Sequence, residues 1–220
     1  MSGKALIVFA RPPIAGQVKS RLTSLLTPKE AADVYRAFLF DSLKQYSNLN
    51  VSVRLYMTDI VHSNIPLNEA VIKQQVGDGL GQRMQHAFSE TAAEGYHQIV
   101  IIGTDHPTLP VQYIQEAFNA VSKPPAISIG PTEDGGYYLL GMNPVINNFF
   151  EGIIYSQSDV YEKTLHRAYQ SDAHVVQLPQ WYDVDRPRDL NRLLRQEDIL
   201  PEQTLKILRQ LKVKYNLQAS

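Results

Sequence analysis

The sequence predicts an α/β fold, a three-layer α/β/α sandwich built on a mainly parallel sheet. Two observations carry this reading. Strand-like and helix-like patterns alternate along the chain with no long linker, low-complexity tract or repeat between them. That alternation puts helices on both faces of a parallel sheet. In addition, Gln98-Ile99-Val100-Ile101-Ile102 is a β-branched apolar run that stops abruptly at Gly103-Thr104-Asp105-His106-Pro107. Consecutive apolar residues of this kind describe a strand buried on both faces. A carboxylate set where such a strand ends lies at the carboxyl edge of the sheet, where open α/β folds bind ligands.

Taken in order, Lys4 to Ala10 reads as the first buried strand. Thr27-Pro28-Lys29-Glu30 supplies an N-cap, a proline at the first helical position and a capping-box glutamate. Ala31, Tyr35, Phe38, Leu39, Leu43 and Tyr46 then recur at helical spacing. Val51 to Met57 alternates apolar and polar residues as a second strand, and Val71 to Val76 is a third. A helix carrying Leu80, Met84, Ala87 and Phe88 on one face leads to the strand at Gln98. Its successor helix shows Val111, Ile114, Phe118 and Val121. Strands at Ala126 to Gly130 and Tyr137 to Gly141 flank Asp134-Gly135-Gly136. A helix near Val160 to Tyr169, a strand at His174 to Leu178 and helices after Pro187 and Pro201 complete the chain. The length suits a single domain over residues 1–220, with the helices from about residue 187 packing on the sheet.

Composition removes several function classes. The net charge of −1 comes from mixed charges with no basic stripe, which argues against a nucleic-acid or anionic-membrane surface. With no cysteine, thiolate catalysis, Cys-ligated zinc and disulfides are excluded. No stretch approaches a membrane span, and the apolar run before Arg11-Pro12-Pro13 is too short for a signal-peptide core. A soluble, cytoplasmic protein is expected. The six histidines, His62, His86, His97, His106, His166 and His174, lack the close spacing of a metal cluster and read as structural or exposed.

Four stretches can carry chemistry. Arg11, Gly16, Lys19 and Arg21 follow the first strand and place three cations around one glycine-containing turn that leads into a helical pattern. Unpaired N–H groups at a helix start would add to that field, a setting suited to a di- or triphosphate; a solvated loop is the plainer alternative. In Gly77-Asp78-Gly79-Leu80-Gly81, Asp78 reads either as a contact to ribose or base or as an N-cap, and Gly79 lets a ligand approach the backbone. Arg83 reads as a surface residue. Asp134-Gly135-Gly136 is either an ordinary β-turn or a substrate site, with Asp134 accepting hydroxyl protons and the glycines leaving room. Asp185, before the proline-started helix at Pro187, reads as an N-cap or as a second metal carboxylate beside Asp105. Asp105 likewise reads as a turn cap or a metal ligand. A hard cation such as Mg²⁺ takes one or two protein carboxylates together with substrate phosphates.

Together these stretches resemble a bacterial family of uncharacterised proteins taken to be glycosyltransferases, with the nucleotide-diphospho-sugar transferase (GT-A) fold. The resemblance rests on Phe9-Ala10-Arg11 followed by Gly16 and Lys19-Ser20-Arg21-Leu22, on Gly103-Thr104-Asp105-His106-Pro107-Thr108-Leu109, on Glu133-Asp134-Gly135-Gly136-Tyr137-Tyr138 and on Tyr182-Asp183-Val184-Asp185-Arg186-Pro187. It spans Phe9 to Leu190 and departs at residues 77–81, where an extra glycine interrupts the family spacing. The Lys19 to Leu22 element also resembles 2-phospholactate guanylyltransferase, a relative of the molybdenum-cofactor guanylyltransferases.

The resemblance implies Mg²⁺ or Mn²⁺ held by Asp105 and Asp185 against nucleotide phosphates, with Lys19 and Arg11 stabilising the diphosphate. It implies a nucleotide sugar or an NTP as donor and a small-molecule acceptor as partner. Glycosyl transfer is the leading expectation, with Asp134 orienting the acceptor hydroxyl or acting as base. Nucleotidyl transfer to a phosphorylated acceptor and a non-catalytic binding module are the alternatives. The apolar stripe of Leu205, Leu208, Leu211 and Tyr215 allows a homodimer, though packing on its own chain explains it more simply.

Overall fold

The computed structural model describes residues 3–60, 70–155 and 157–217; His62 lies outside them. A seven-stranded sheet organises the chain, in the order β3-β2-β1-β4-β6-β5-β7. The strands are β1 (Lys4–Ala10), β2 (Ser52–Met57), β3 (Val71–Gln74), β4 (Gln98–Ile102), β5 (Ala126–Pro131), β6 (Tyr137–Asn143) and β7 (His174–Gln177). All pairings are parallel except those of β6, which runs antiparallel to both β4 and β5. The helices are α1 (Pro28–Tyr46), α2 (Leu80–Ala93), α3 (Val111–Ala120), α4 (Val160–Tyr169), α5 (Pro187–Leu194) and α6 (Glu202–Tyr215).

The period-2 geometry of the strands divides the core. On β1, Leu6 and Val8 join α1 and α3 through Leu39, Ile114 and Phe118. Ile7 turns to the other face, where it meets α2 and α4 through Met84, Phe88 and Ala168. The central strands are buried on both sides, which is why their sequences read as continuous apolar runs. A third cluster contains Leu22, Val34, Phe38, Leu190, Leu208 and Leu211. In it α6 lies against α1, and Leu190 of α5 joins Leu22. The stripe of α6 is therefore covered by its own chain.

Local signals explain the main boundaries. Helix α1 starts with the full capping box: the Glu30 N–H donates to Thr27 Oγ1 at 3.2 Å, and the Thr27 N–H donates to Glu30 Oε2 at 2.9 Å. The start of α6 is capped across space, where buried Asp41 of α1 accepts from the Gln203 and Thr204 N–H groups at 3.2 and 2.7 Å. Strand β2 departs from simple alternation. Arg54 is 3% exposed, paired with Glu94 and stacked over the Tyr96 ring. No described helix is long and apolar enough to cross a membrane.

Candidate active site

Strand order makes the site. The chain builds β2 and β3 on one side of β1, then returns to place β4 on the other, so the loops leaving β1 and β4 diverge around a crevice. Tyr35 of α1 ties these loops together by accepting hydrogen bonds from the Arg11 N–H at 3.0 Å and from Thr104 Oγ1 at 3.1 Å. Because β6 is reversed, the turn between β5 and β6 falls on this same edge. After β7 the chain runs along that edge. Trp181 bridges Thr132, and the Val184 N–H donates to the Asp105 carbonyl at 2.8 Å. Asp185 is thereby delivered beside Asp105. The resulting cleft is about 700 Å³.

Lys19 is its electrostatic centre. Its Nζ lies 2.6 Å from Asp105 Oδ1 and 3.0 Å from Asp185 Oδ1, and Arg21 holds the other oxygen of Asp185 at 3.1 Å. The Lys19 side chain is 4% exposed, while Asp105 and Asp185 are 45% and 34% exposed. Burial alone would lower the Lys19 pKa, but the charges of Asp105 and Asp185 outweigh it and hold the ammonium above the ordinary lysine value. Burial would raise the Asp105 carboxyl, yet Lys19 brings it below the usual range. Arg11 lines the cleft with no partner for its guanidinium among the described residues.

The facing wall is polar and aromatic. Asp134 Oδ1 accepts from Thr132 Oγ1 at 2.6 Å and from the Gly136 N–H at 3.1 Å. These bonds fix the carboxylate and leave Oδ2 without a protein partner among the described residues. Tyr137, Tyr155, Gln157 and Val160 continue the wall, with Tyr137 Oη 3.4 Å from Tyr155 Oη.

Of the residues singled out from sequence, Arg11, Lys19, Arg21, Asp78, Gly79, Asp105, Asp134, Gly136 and Asp185 all line this cleft. Gly16 and Gly135 do not. Gly16 adopts φ +82° in the turn before Lys19 and has open space around it. The room at Gly135 is filled by the backbone carbonyl of Ser158, so that glycine serves close packing of two segments. The helix start expected after Arg11 is only a short 3-10 turn, Ser20–Ser24, with Lys19 in the left-handed conformation (φ 48°). It brings a side chain rather than a helix dipole to the site.

The capping alternatives do not describe these acids. The residue at the cap of α2 is Gly79, that of α3 is Pro110, and Asp189 rather than Asp185 accepts the N–H groups at the start of α5. Sequence reasoning missed Tyr35, whose hydroxyl is invisible within a helical apolar face, and Arg83. Arg83 Nε donates to the Gly77 carbonyl at 2.9 Å and lines the cleft. His106, expected near the site, is 3% exposed and lies 3.6 Å from Asp183. Burial raises the carboxyl of Asp183, an effect that His106 only partly offsets.

A divalent cation suits the donor set. Two hard carboxylates converge on one point, and the Lys19 ammonium already stands in there as the cation. Among the described residues no group of three or more His, Cys, Asp or Glu side chains is placed to hold a metal. Any such ion would complete its shell from ligand phosphates and water.

The fold is that of the nucleotide-diphospho-sugar transferases. The chain belongs to DUF2064, a family of uncharacterized proteins conserved in bacteria, whose pattern matches residues 47–157. A candidate nucleotide-diphospho-sugar transferase from Desulfovibrio desulfuricans G20 is 30% identical over 98% of each chain, with a TM-score of 0.90. A cytidylyltransferase from Leptospira borgpetersenii shares the fold at 11% identity, covering 100% of this chain and 98% of that one, with a TM-score of 0.54. Rv0371c from Mycobacterium tuberculosis does so at 17% identity, covering 88% and 98%, with a TM-score of 0.50. No curated protein matches the sequence.

Proposed function

We propose that this protein is a metal-dependent glycosyltransferase that uses a nucleotide-diphospho-sugar donor. The supporting observation is the division of charge within the cleft. Arg11, Lys19 and Arg21 gather where the loops after β1 and β4 meet, whereas the wall from Thr132 to Tyr138 and from Tyr155 to Val160 contains no lysine or arginine among the described residues. A diphosphate is suited to the first region and an uncharged hydroxyl acceptor to the second. Nucleotide-sugar chemistry also agrees with the Desulfovibrio relative.

In this reading Arg11 forks onto the diphosphate, and Lys19 stabilises the negative charge that grows on it as the bond to the sugar carbon breaks. Asp134 Oδ2 orients the acceptor hydroxyl and takes its proton as oxygen bonds to the sugar carbon and nucleoside diphosphate leaves. Asp105 and Asp185 would hold Mg²⁺ or Mn²⁺, which when bound supplies further neutralisation of the diphosphate.

Nucleotidyl transfer is the second reading, and Arg83 favours it. This cation lines the cleft apart from Arg11, Lys19 and Arg21, held on the Gly77 carbonyl, and there it would anchor a phosphorylated acceptor. The deciding experiment incubates the protein with Mg²⁺ or Mn²⁺ and separate pools of nucleotide sugars and NTPs. Nucleoside diphosphate release supports glycosyl transfer, and pyrophosphate release replaces it with nucleotidyl transfer. Binding with neither product reduces the protein to a nucleotide-binding module.

A further inference from the structure

We infer that Lys19 closes the carboxylate pair to a free divalent cation, so that metal enters only together with a phosphate-bearing ligand. The inference rests on the nucleotide-dependent reading above and adds an order of binding to it.

Three observations carry it. First, the space between the two acids is taken: Lys19 Nζ contacts Asp105 Oδ1 and Asp185 Oδ1 at 2.6 and 3.0 Å, so the carboxylates that would hold a metal already share one cation. Second, the ammonium has little freedom to withdraw into solvent. Its side chain is nearly fully buried, and its left-handed backbone (φ 48°, ψ 41°), immediately before the 3-10 turn, aims it inward. Third, the two carboxylates are already neutralised by the cations in contact with them. Lys19 and Arg21 against Asp105 and Asp185 give two positive and two negative charges. A bare divalent ion would add two uncompensated charges beside those cations in a partly desolvated site, where like charges repel strongly.

A diphosphate changes both conditions. It brings several negative charges and offers the ammonium oxygens to move onto, freeing the carboxylates for the metal. Arg21 keeps Asp185 in place through its second oxygen during that exchange. Metal and phosphate ligand then bind with positive coupling, and linkage requires each to tighten the other by the same factor.

Equilibrium dialysis of Mn²⁺ against the full chain tests this, with inorganic pyrophosphate as a base-independent probe. Wild-type protein is expected to retain Mn²⁺ weakly when the metal is alone and roughly 5–150-fold more tightly with pyrophosphate present. Labelled pyrophosphate should show the same gain on adding Mn²⁺. Lys19→Met, which removes the charge but keeps an unbranched chain, should bind Mn²⁺ alone several-fold more tightly than wild type binds it alone, and should show a correspondingly smaller gain from pyrophosphate. Lys19→Arg should stay closed.

Equal Mn²⁺ binding by wild type with and without pyrophosphate would overturn the inference, as would failure to retain Mn²⁺ under either condition. Lys19→Met that binds Mn²⁺ alone no better than wild type would also overturn it, and if Lys19→Met does not fold, Lys19→Gln takes its place in the same comparison. Failure of the glycosyltransferase reading shows separately, as absence of nucleoside diphosphate release by protein that does couple Mn²⁺ to pyrophosphate.

Discussion

Gly135→Ala tests whether the acceptor wall is held in place by backbone packing. Gly135 sits at φ +90°, and an added Cβ would land on the carbonyl oxygen of Ser158, a backbone atom that cannot rotate aside. The left-handed conformation costs an alanine about 1–2 kcal/mol, and relieving the overlap by moving main chain costs about 1–3 kcal/mol more. The sum, about 2–5 kcal/mol, corresponds to roughly 4–20 °C in the melting midpoint for a chain of this size. The displacement also propagates: the Tyr161 N–H donates to the Gly135 carbonyl at 2.8 Å, so the start of α4 moves with the turn, and with it Tyr155 and Gln157. Gly136→Ala is the internal control. Its Cβ would meet Thr132 Oγ1 at 3.0 Å and Asp134 Oδ1 at 3.4 Å, and its backbone needs no positive φ. Urea and thermal denaturation of both variants, with ligand binding measured on the folded fraction, separate the effects. Equal stability of the two variants would refute the packing argument.

Asp105→Asn should keep the fold, because Lys19 retains Asp185, and lower metal-dependent turnover by roughly 10²–10³. Unchanged turnover and nucleotide binding would remove Asp105 from the site. Asp41→Ala strips two N–H groups of α6 of a buried carboxylate, and chemical denaturation should record a loss of about 1.5–3 kcal/mol; a loss below 0.5 kcal/mol, roughly that of a neutral surface change, would show that α6 needs no such cap. Glu30 is held at about 2 by Lys214, Tyr215 and Thr27, so its contribution is present above the ordinary carboxylate value and lost as pH falls toward about 2. Glu30→Gln should therefore cost about 1 kcal/mol at neutral pH, with the gap closing on acidification, and a gap independent of pH would contradict the assignment.

How much of this was legible in the sequence depends on what kind of force acts at each position. Burial on both faces writes itself into composition, so β1 appears with its observed bounds, Lys4 to Ala10, and α4 with its own, Val160 to Tyr169. Capping chemistry is local, and Thr27 with Glu30 behaves as its spacing implies. Long-range juxtaposition leaves no such trace. Nothing in the spacing of Asp105 and Asp185 says that one ammonium lies between them; the expectation that they meet rests on a strand end and a loop that can share one sheet edge, and on a resemblance between whole motifs. Arg54 illustrates the opposite difficulty, since a cation in a strand reads as a solvent-facing residue until Glu94 and Tyr96 are seen to cover it. Arg83 was passed over for the same reason: its anchoring on the Gly77 carbonyl depends on how residues 77–79 turn.

The two sides of the cleft differ in how firmly the fold holds them, and that difference bears on specificity. The cationic side hangs from β1 and β4, the central strands, with Tyr35 hydrogen-bonded to both loops. Its geometry can change only if the core of the sheet changes. The facing side is a turn plus residues 153–155 and 157–159 before α4, joined through the close approach of Gly135 to Ser158 and the Tyr161 to Gly135 hydrogen bond. Variation in residues 153–159 would alter Tyr155 and Gln157 without touching Lys19 or its two acids. A fold divided in this way can keep one diphosphate grip while accepting different acceptors. Swapping residues 153–159 between relatives should therefore change acceptor preference while leaving the coupling of Mn²⁺ to pyrophosphate intact, and loss of that coupling in the swapped chains would show that the two sides are not independent.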